Sequence, residues 1–128
     1  MRVLFALIAC CSLFITCGKN KGNELLGTWK LVEIYNVSQS WQAVSPAQQT
    51  TITFNSDNTF NNKPPLISSF SGCSGTYRIE PGNTVYMNLS CVPDPNYKDQ
   101  LVFTRHGITL VLDHVTTGAG VKTKYEKQ

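Results

Sequence analysis

The stretch from Ser71 to Cys91, SGCSGTYRIEPGNTVYMNLSC, constrains the fold more than any other part of this chain. Two runs in which apolar and polar residues alternate meet at the sequence PGN (81–83), whose glycine or asparagine can adopt the positive φ that a short hairpin loop requires. The register that places this loop at the hairpin tip also places Cys73 opposite Cys91. Two antiparallel strands joined by a three-residue loop are therefore predicted.

Pairing in this register divides the hairpin into an apolar face and a polar face. The face predicted to be apolar consists of Cys73, Gly75, Tyr77, Ile79, Val85, Met87, Leu89 and Cys91. A slip of one residue would oppose Cys73 to Ser90 and set apolar side chains against polar ones. The loop, the alternation and the two cysteines thus indicate the same register.

The N-terminal sequence, MRVLFALIACCSLFITCGKNKGNE, indicates export. Arg2 precedes an apolar stretch from Val3 to Thr16, and polar residues follow, which is the order typical of a signal peptide. The apolar stretch is shorter than the roughly 20 residues that cross a bilayer. We expect residues 1–16 to be a lipoprotein signal peptide, with an uncleaved signal anchor as the alternative.

Cys17 resembles the lipid acceptor of bacterial lipoproteins. It follows Phe14-Ile15-Thr16, in which an apolar run ends in a small residue directly before the cysteine. Cys10 follows a sequence that matches the lipoprotein consensus better by residue type. Cleavage before Cys10, however, would leave an apolar core of only about seven residues. We expect lipid on Cys17, with Cys10 as the alternative, and residues 17–24 as the lipidated cysteine and a polar tether.

The predicted location is the cell envelope, as an outer-membrane lipoprotein that faces the periplasm. An aspartate directly after the lipidated cysteine resembles the signal that retains enterobacterial lipoproteins in the inner membrane. This chain has Gly18 at that position, which favours the outer membrane. Cys10 and Cys11 would leave with the signal peptide and Cys17 would carry lipid, so that one pair of cysteines remains. An even remainder in an oxidising compartment predicts a Cys73–Cys91 disulfide, which is expected to contribute about 3 kcal/mol by closing its loop.

Two more segments are predicted to form hairpins. The sequence DQLVFTRHGITLVLD (99–113) is expected to turn at His106-Gly107, with Phe103 opposite Leu110. The sequence TTITFNSDNTF (50–60) is expected to turn through residues 56–58 and to place Ile52, Phe54 and Phe60 on one face.

Three shorter segments complete the strand prediction. Residues 27–37 alternate only if a bulge shifts the pattern, and the sequence SWQAV (40–44) is expected to return as a short strand after a turn at Ser38 to Ser40. Residues 121–127 alternate as a closing strand. The segment 61–71 contains two prolines beside apolar residues, and we expect it to be an edge or a loop that crosses the barrel mouth.

The predicted fold class is all-β, a small antiparallel up-and-down β-barrel of about eight strands, because no helical period of useful length occurs. Residues 25–128 would form this single domain. The net charge of +3 is spread along the chain without a run of like charges, which argues against nucleic-acid binding.

The order of these segments resembles the small lipocalin-like lipoproteins of Bacteroidetes-type bacteria, a family of undefined activity. The resemblance covers LLGTWKLVE, ITFNSDNTF, CSGTYRIEPGNTVYMNLSC, LVFTRHGITLVL and the closing KYEK. It implies a lipocalin-like barrel more than a defined activity. The Thr-Asp-Tyr element of transport lipocalins is absent from the sequence.

The candidate residues for a ligand pocket, or for a filled core, share a large apolar side chain and a predicted inward direction: Trp29, Leu31, Phe54, Phe60, Tyr77, Met87, Phe103 and Leu110. His106 and His114 are interpreted as solvated histidines. No spacing indicates a catalytic residue, a metal site or a cofactor, so the chain is not expected to be an enzyme.

Two functions remain open at this point. One is a membrane-anchored binding module for a small hydrophobic ligand. The other is a protein-interaction module, such as a lysozyme-inhibitor-like periplasmic lipoprotein with a filled core.

Overall fold

The computed structural model describes residues 24–36, 38–63, 73–115 and 120–128. Nine strands occur in these ranges: β1 Gly27–Tyr35, β2 Trp41–Ala43, β3 Thr51–Phe54, β4 Thr59–Lys63, β5 Ser74–Glu80, β6 Thr84–Leu89, β7 Asp99–His106, β8 Thr109–His114 and β9 Lys122–Lys127. A 3-10 helix, Pro46–Gln48, lies between β2 and β3, and no α-helix occurs in the described ranges. The predicted signal peptide, the tether before Glu24 and most of the predicted mouth segment, residues 64–71, lie outside them.

The strands form one antiparallel sheet that closes on itself. From β3 to β9 each strand pairs with the next one in sequence, and β1 pairs with β3 on one side and with β9 on the other. These eight strands make the barrel, while β2 pairs with the second half of β1 as an extra strand. The predicted all-β up-and-down barrel is confirmed.

The β5–β6 hairpin has the predicted register. Glu80 pairs with Thr84, Tyr77 pairs with Met87, and the pairing continues to the end of both strands. Gly82 has a φ of 83°, the positive value that the loop requires. Cys73 and Cys91 form the expected disulfide, with their Cα atoms 5.6 Å apart.

The β7–β8 hairpin corrects the sequence prediction by two residues. The loop is Gly107-Ile108 instead of His106-Gly107, so His106 ends β7 and Phe103 pairs with Leu112 instead of Leu110. Gly107 has a φ of 59° at the first loop position, as type II′ turns require. A shift of two leaves every side chain on its predicted face, and Phe103 and Leu110 are both buried.

The predicted bulge in β1 is present. The register between β1 and β9 shifts between Leu31 and Glu33, which leaves Val32 as the extra residue. Because of this shift, Leu31 and Ile34 both oppose inward-facing residues of β9, while Glu33 points outward. The bulge therefore reconciles two hydrophobic patterns that conflict in the sequence.

The two ends of the barrel differ in their connections. At the turn end, defined by residues 24–26 and the loops 55–58, 81–83 and 107–108, tight turns join the strands. At the loop end, defined by residues 36, 38–50, 90–98, 115 and 120–121, the connections are longer. The core runs between the two ends, and its members are Leu25, Trp29, Leu31, Ile52, Phe54, Phe60, Tyr77, Val85, Met87, Leu101, Phe103, Leu110, Leu112 and Tyr125.

Candidate functional site

The structure places all eight candidate pocket or core residues inside the barrel. None is more than 5% exposed: Trp29, Leu31, Phe54, Phe60, Tyr77, Met87, Phe103 and Leu110. A side chain that bordered an open cup would keep an area accessible to water. These residues therefore fill the part of the barrel in which they lie.

Trp29 closes the turn end. Its indole N–H donates a hydrogen bond of 2.6 Å to the carbonyl oxygen of Leu25. The Arg105 guanidinium carbon lies 5.5 Å from the centre of the Trp29 ring, and an Arg105 nitrogen donates to the carbonyl oxygen of Glu24 at 3.0 Å. These contacts attach the segment that enters the domain to β7 and seal this end.

Aromatic side chains fill the interior near the β3–β4 turn. Phe54 meets Tyr77 edge to face, with ring centroids 5.0 Å apart, and lies 6.4 Å from Phe60. The Tyr77 hydroxyl donates to the carbonyl oxygen of Asn55 at 2.8 Å. The apolar body of Tyr77 is thus buried while its polar group is satisfied by the turn.

Polar side chains lie near one another at the loop end, and we call them the loop-end cluster. Three of them, Asp99, His114 and Thr123, occupy inward positions of β7, β8 and β9, and the fourth, Tyr97, lies on the connection before β7. Thr123 is 0% exposed, and its hydroxyl oxygen lies 3.1 Å from Nε2 of His114. His114 is only partly exposed, so its interpretation as a solvated histidine is wrong. On β8 it continues the inward series that begins with Leu110 and Leu112.

Burial and charge determine the protonation behaviour of this cluster. Burial lowers the pKa of His114 below its ordinary value of 6.5, and the negative charges of Asp99 and Asp113 partly oppose that effect. Burial raises the pKa of Tyr97, and Asp99 raises it further. The cluster therefore combines an imidazole whose uncharged form is favoured by burial with hydroxyl groups and a carboxyl group at one end of an apolar interior.

The lysines of β9 point away from this interior. Lys122 forms an ion pair of 2.9 Å with Asp113 on the outer surface. Lys124 pairs with Glu33, and its Nζ atom lies 4.3 Å from the centre of the exposed Trp41 ring. Both lysines flank Thr123, whose side chain faces inward, so the alternation of the strand separates the cations from the cluster.

The sequence interpretation missed the loop-end cluster, although a signal for it exists. The alternation of Leu110 and Leu112 predicts an inward direction for His114, and that of Phe103 and Leu101 predicts the same for Asp99. In both strands the polar residue occupies the position two residues beyond the last apolar residue of the inward series. The same alternation therefore indicates an inward position for two of the four residues.

The described part of the chain contains no group of three or more His, Cys, Asp or Glu side chains that could hold a metal ion. Within the same ranges, no helix is long and apolar enough to cross a membrane.

Comparison with known proteins agrees with the barrel. A crystal structure of a lipocalin-like protein from Bacteroides uniformis is similar, with a TM-score of 0.60 and 19% sequence identity, over 82% of this chain and 99% of that chain. No curated protein sequence gives a significant match. The model of the lipocalin-like domain family matches residues 25–112. This family has a binding-module fold and is generally non-enzymatic. The resemblance inferred from the sequence is thereby confirmed, and the chain belongs to the lipocalin-like domain family.

Proposed function

We propose that this protein is a non-enzymatic binding module that holds a small, largely hydrophobic molecule at the loop end of its barrel. The observation that carries this proposal is the loop-end cluster, where a few polar groups converge beside apolar side chains. Small-molecule sites combine these features, since apolar walls supply affinity and a few polar groups fix orientation.

The contrast between the two ends supports this position. The turn end is filled by Trp29 and the aromatic side chains around Tyr77, which leaves no room for a ligand there. Among the described residues, three partly buried apolar side chains pack against the core near the loop end, Ile34, Val44 and Leu89, and one, Ile79, does so near the turn end. A ligand that covered the first three would bury further apolar area, at about 25 cal/mol per Å².

Matched tryptophan substitutions test the location. Leu89→Trp adds bulk at the loop end of β6, whereas Ile79→Trp adds the same bulk near the turn end of β5. With the neutral probe N-phenyl-1-naphthylamine, we expect Leu89→Trp to weaken binding by about tenfold or more and Ile79→Trp to leave it within twofold. Equal effects of both substitutions, or no binding to the unaltered protein, would contradict the proposal.

We also propose that the domain is anchored to the outer membrane, on its periplasmic side, through lipid on Cys17. The signal-peptide pattern of residues 1–16 supports this, together with the polar sequence that follows Cys17.

Fatty-acid labelling tests the anchor. Cys17→Ala should abolish incorporation of an alkyne-tagged palmitate and release the protein from membranes. Cys10→Ala, as the control, should leave labelling intact. If labelling persists in the Cys17→Ala protein and is lost in the Cys10→Ala protein, Cys10 is the acceptor.

The filled half of the barrel favours one alternative, a protein-interaction module of the lysozyme-inhibitor type. Such a module needs a rigid scaffold with exposed loops and no ligand space, and the side chains around Trp29 and Phe103 provide a solid core. Crosslinking in the periplasm followed by affinity capture should then recover one stoichiometric protein partner. Recovery of none would count against this alternative.

A further inference from the structure

The short strand β2 carries an inference about a partner, which goes beyond the function proposed above and depends on neither the ligand nor the anchor. We infer that β2 is the contact by which two copies of this chain associate. In this contact the two β2 strands pair antiparallel about a two-fold axis that passes through Gln42.

The first step is the exposure of β2. Within the described ranges, β2 pairs with β1 alone and lies at the end of the strand order. All three of its residues, Trp41, Gln42 and Ala43, are exposed. An exposed edge strand presents backbone N–H and C=O groups with which another strand can pair.

The second step is the direction of those backbone groups. The N–H of Val44 donates to the carbonyl oxygen of Val32 at 2.8 Å. In an antiparallel ladder, residues that exchange hydrogen bonds with the neighbouring strand alternate with residues that do not. Gln42 therefore belongs to the bonded set with Val44, while the N–H and C=O groups of Trp41 and Ala43 point away from β1 to the open edge.

The third step is the fit of a second copy to this edge. When two β2 strands run antiparallel with Gln42 on the axis, Trp41 of each copy opposes Ala43 of the other. Both positions direct their backbone groups to the edge, so each of these pairs can exchange two hydrogen bonds. The same surface then serves both copies, which is what a two-fold contact requires.

The fourth step is the outer face of the contact. The Trp41 ring lies 5.5 Å from the ring of Tyr35, its cross-strand partner on β1. The small Ala43 of the second copy leaves room beside the indole, and the two Trp41 rings become diagonal neighbours, a separation that aromatic side chains span. Tryptophan and tyrosine are enriched among the residues that contribute most to association between proteins.

The charges around these rings fit a second copy better than a charged partner. Lys124 pairs with Glu33, and its Nζ atom lies 4.3 Å from the centre of the Trp41 ring. Lys122 pairs with Asp113 on the neighbouring strands. Because each cation has its own carboxylate within the chain, a second copy brings no unpaired charge to the contact.

The size of the contact limits its strength. A standard protein interface buries about 1,600 Å² and uses roughly 20–30 residues on each side. A three-residue strand and one aromatic pair from each copy provide much less area. We therefore expect a weak, reversible dimer.

Cysteine crosslinking tests the register. The full chain with Gln42→Cys is expressed in a bacterial host and oxidised in intact cells with copper phenanthroline. In the inferred contact, residue 42 opposes its own copy at a Cα separation of about 4.5 Å, which a disulfide can span. On a non-reducing gel we expect a dimer band about fivefold or more above that of the unaltered chain, whose own cysteines set the baseline.

Ser40→Cys is the matched control for position. Ser40 is also exposed and lies two residues before Gln42. In the inferred register it is offset from its own copy by about 13 Å along the strand, so its dimer band should equal that of the unaltered chain.

A second pair of variants tests the aromatic contact, each combined with Gln42→Cys. Trp41→Ser should lower the dimer band by about fivefold or more. Tyr86→Ser removes a ring that lies under Arg78 on β6, a strand that does not border β2, and should leave the band within about twofold. If Trp41→Ser does not fold, the comparison of Gln42→Cys with Ser40→Cys decides alone.

Three results would overturn the inference. One is equal crosslinking of Gln42→Cys and Ser40→Cys, and another is a dimer band no stronger than that of the unaltered chain. The third is a crosslinked band whose mass differs from twice that of the chain, which would assign the edge of β2 to a different protein. The proposals for the ligand and the anchor stand or fall by their own experiments.

Discussion

Removal of the Cys73–Cys91 disulfide should destabilise the domain substantially. The bond joins residues separated by 18 positions, across the ends of β5 and β6 next to the loop end. In the chain-entropy model, breaking a bond that closes a loop of this length raises the entropy of the unfolded chain. The free energy of unfolding then falls by about 3 kcal/mol. Small domains have net stabilities of about 5–15 kcal/mol, so this is a large fraction of the total.

The assay is urea denaturation of the oxidised protein, of the same protein with reductant, and of the Cys73→Ala/Cys91→Ala variant. With a urea m-value of about 1–3 kcal/mol/M, a loss of about 3 kcal/mol lowers the midpoint by about 1–3 M. Reductant breaks the bond without changing any side-chain volume. Agreement between the reduced protein and the variant would therefore assign the loss to the bond itself.

The control is Ser74→Ala/Ser90→Ala, which alters the adjacent cross-strand pair, whose hydroxyl oxygens are 3.4 Å apart on the exposed face. An exposed pair of this kind should change stability by less than about 1 kcal/mol. If the reduced protein unfolds within about 0.5 kcal/mol of the oxidised one, loop closure does not stabilise this fold and the reasoning is refuted.

Three further changes should alter the free energy of unfolding, each measured by urea denaturation. Gly75→Ala should cost about 3 kcal/mol or more, because a Cβ atom there would overlap the backbone carbonyl oxygen of Asn88, which cannot move without the strand. Phe103→Ala should cost about 3–5 kcal/mol, since the ring is fully buried and its removal leaves a cavity. Because burial lowers the pKa of His114, the unfolded chain binds its proton first, so stability should fall as the pH drops from about 6.5 towards the folded-state pKa. His114→Gln should remove that part of the pH dependence, and an unchanged slope would contradict this assignment.

The parts of the fold that the sequence predicted correctly are those in which independent signals agree. In the β5–β6 hairpin, the loop residues and the two cysteines specify one pairing. In the β7–β8 hairpin, only alternation and a single glycine were available. Alternation has a period of two, so it cannot distinguish pairings that differ by two residues. The predicted faces were therefore correct there and the predicted partners were wrong.

The loop-end cluster depends on the pairing of three strands, which is why its members are hard to recognise from the sequence alone. Asp99, His114 and Thr123 lie on three successive strands, and only the pairings of β7 with β8 and of β8 with β9 bring them together. Each of them also lies at a strand end, where a polar residue is ordinarily a sign of solvent exposure. The apolar core carried no such ambiguity, because periodic apolar residues indicate burial directly.

The double pairing of β1 determines when the chain can complete its fold. Glu33 of β1 meets Lys124 of β9, although 91 positions separate them in the sequence. During synthesis the first strand emerges long before its partner, and its edge stays available to other chains until the last residues arrive. Barrel closure is thus a late event that joins residues distant in sequence, and contacts of this kind slow folding. A chaperone that shields residues 27–35 in the interval would act where the nascent domain is most vulnerable to aggregation.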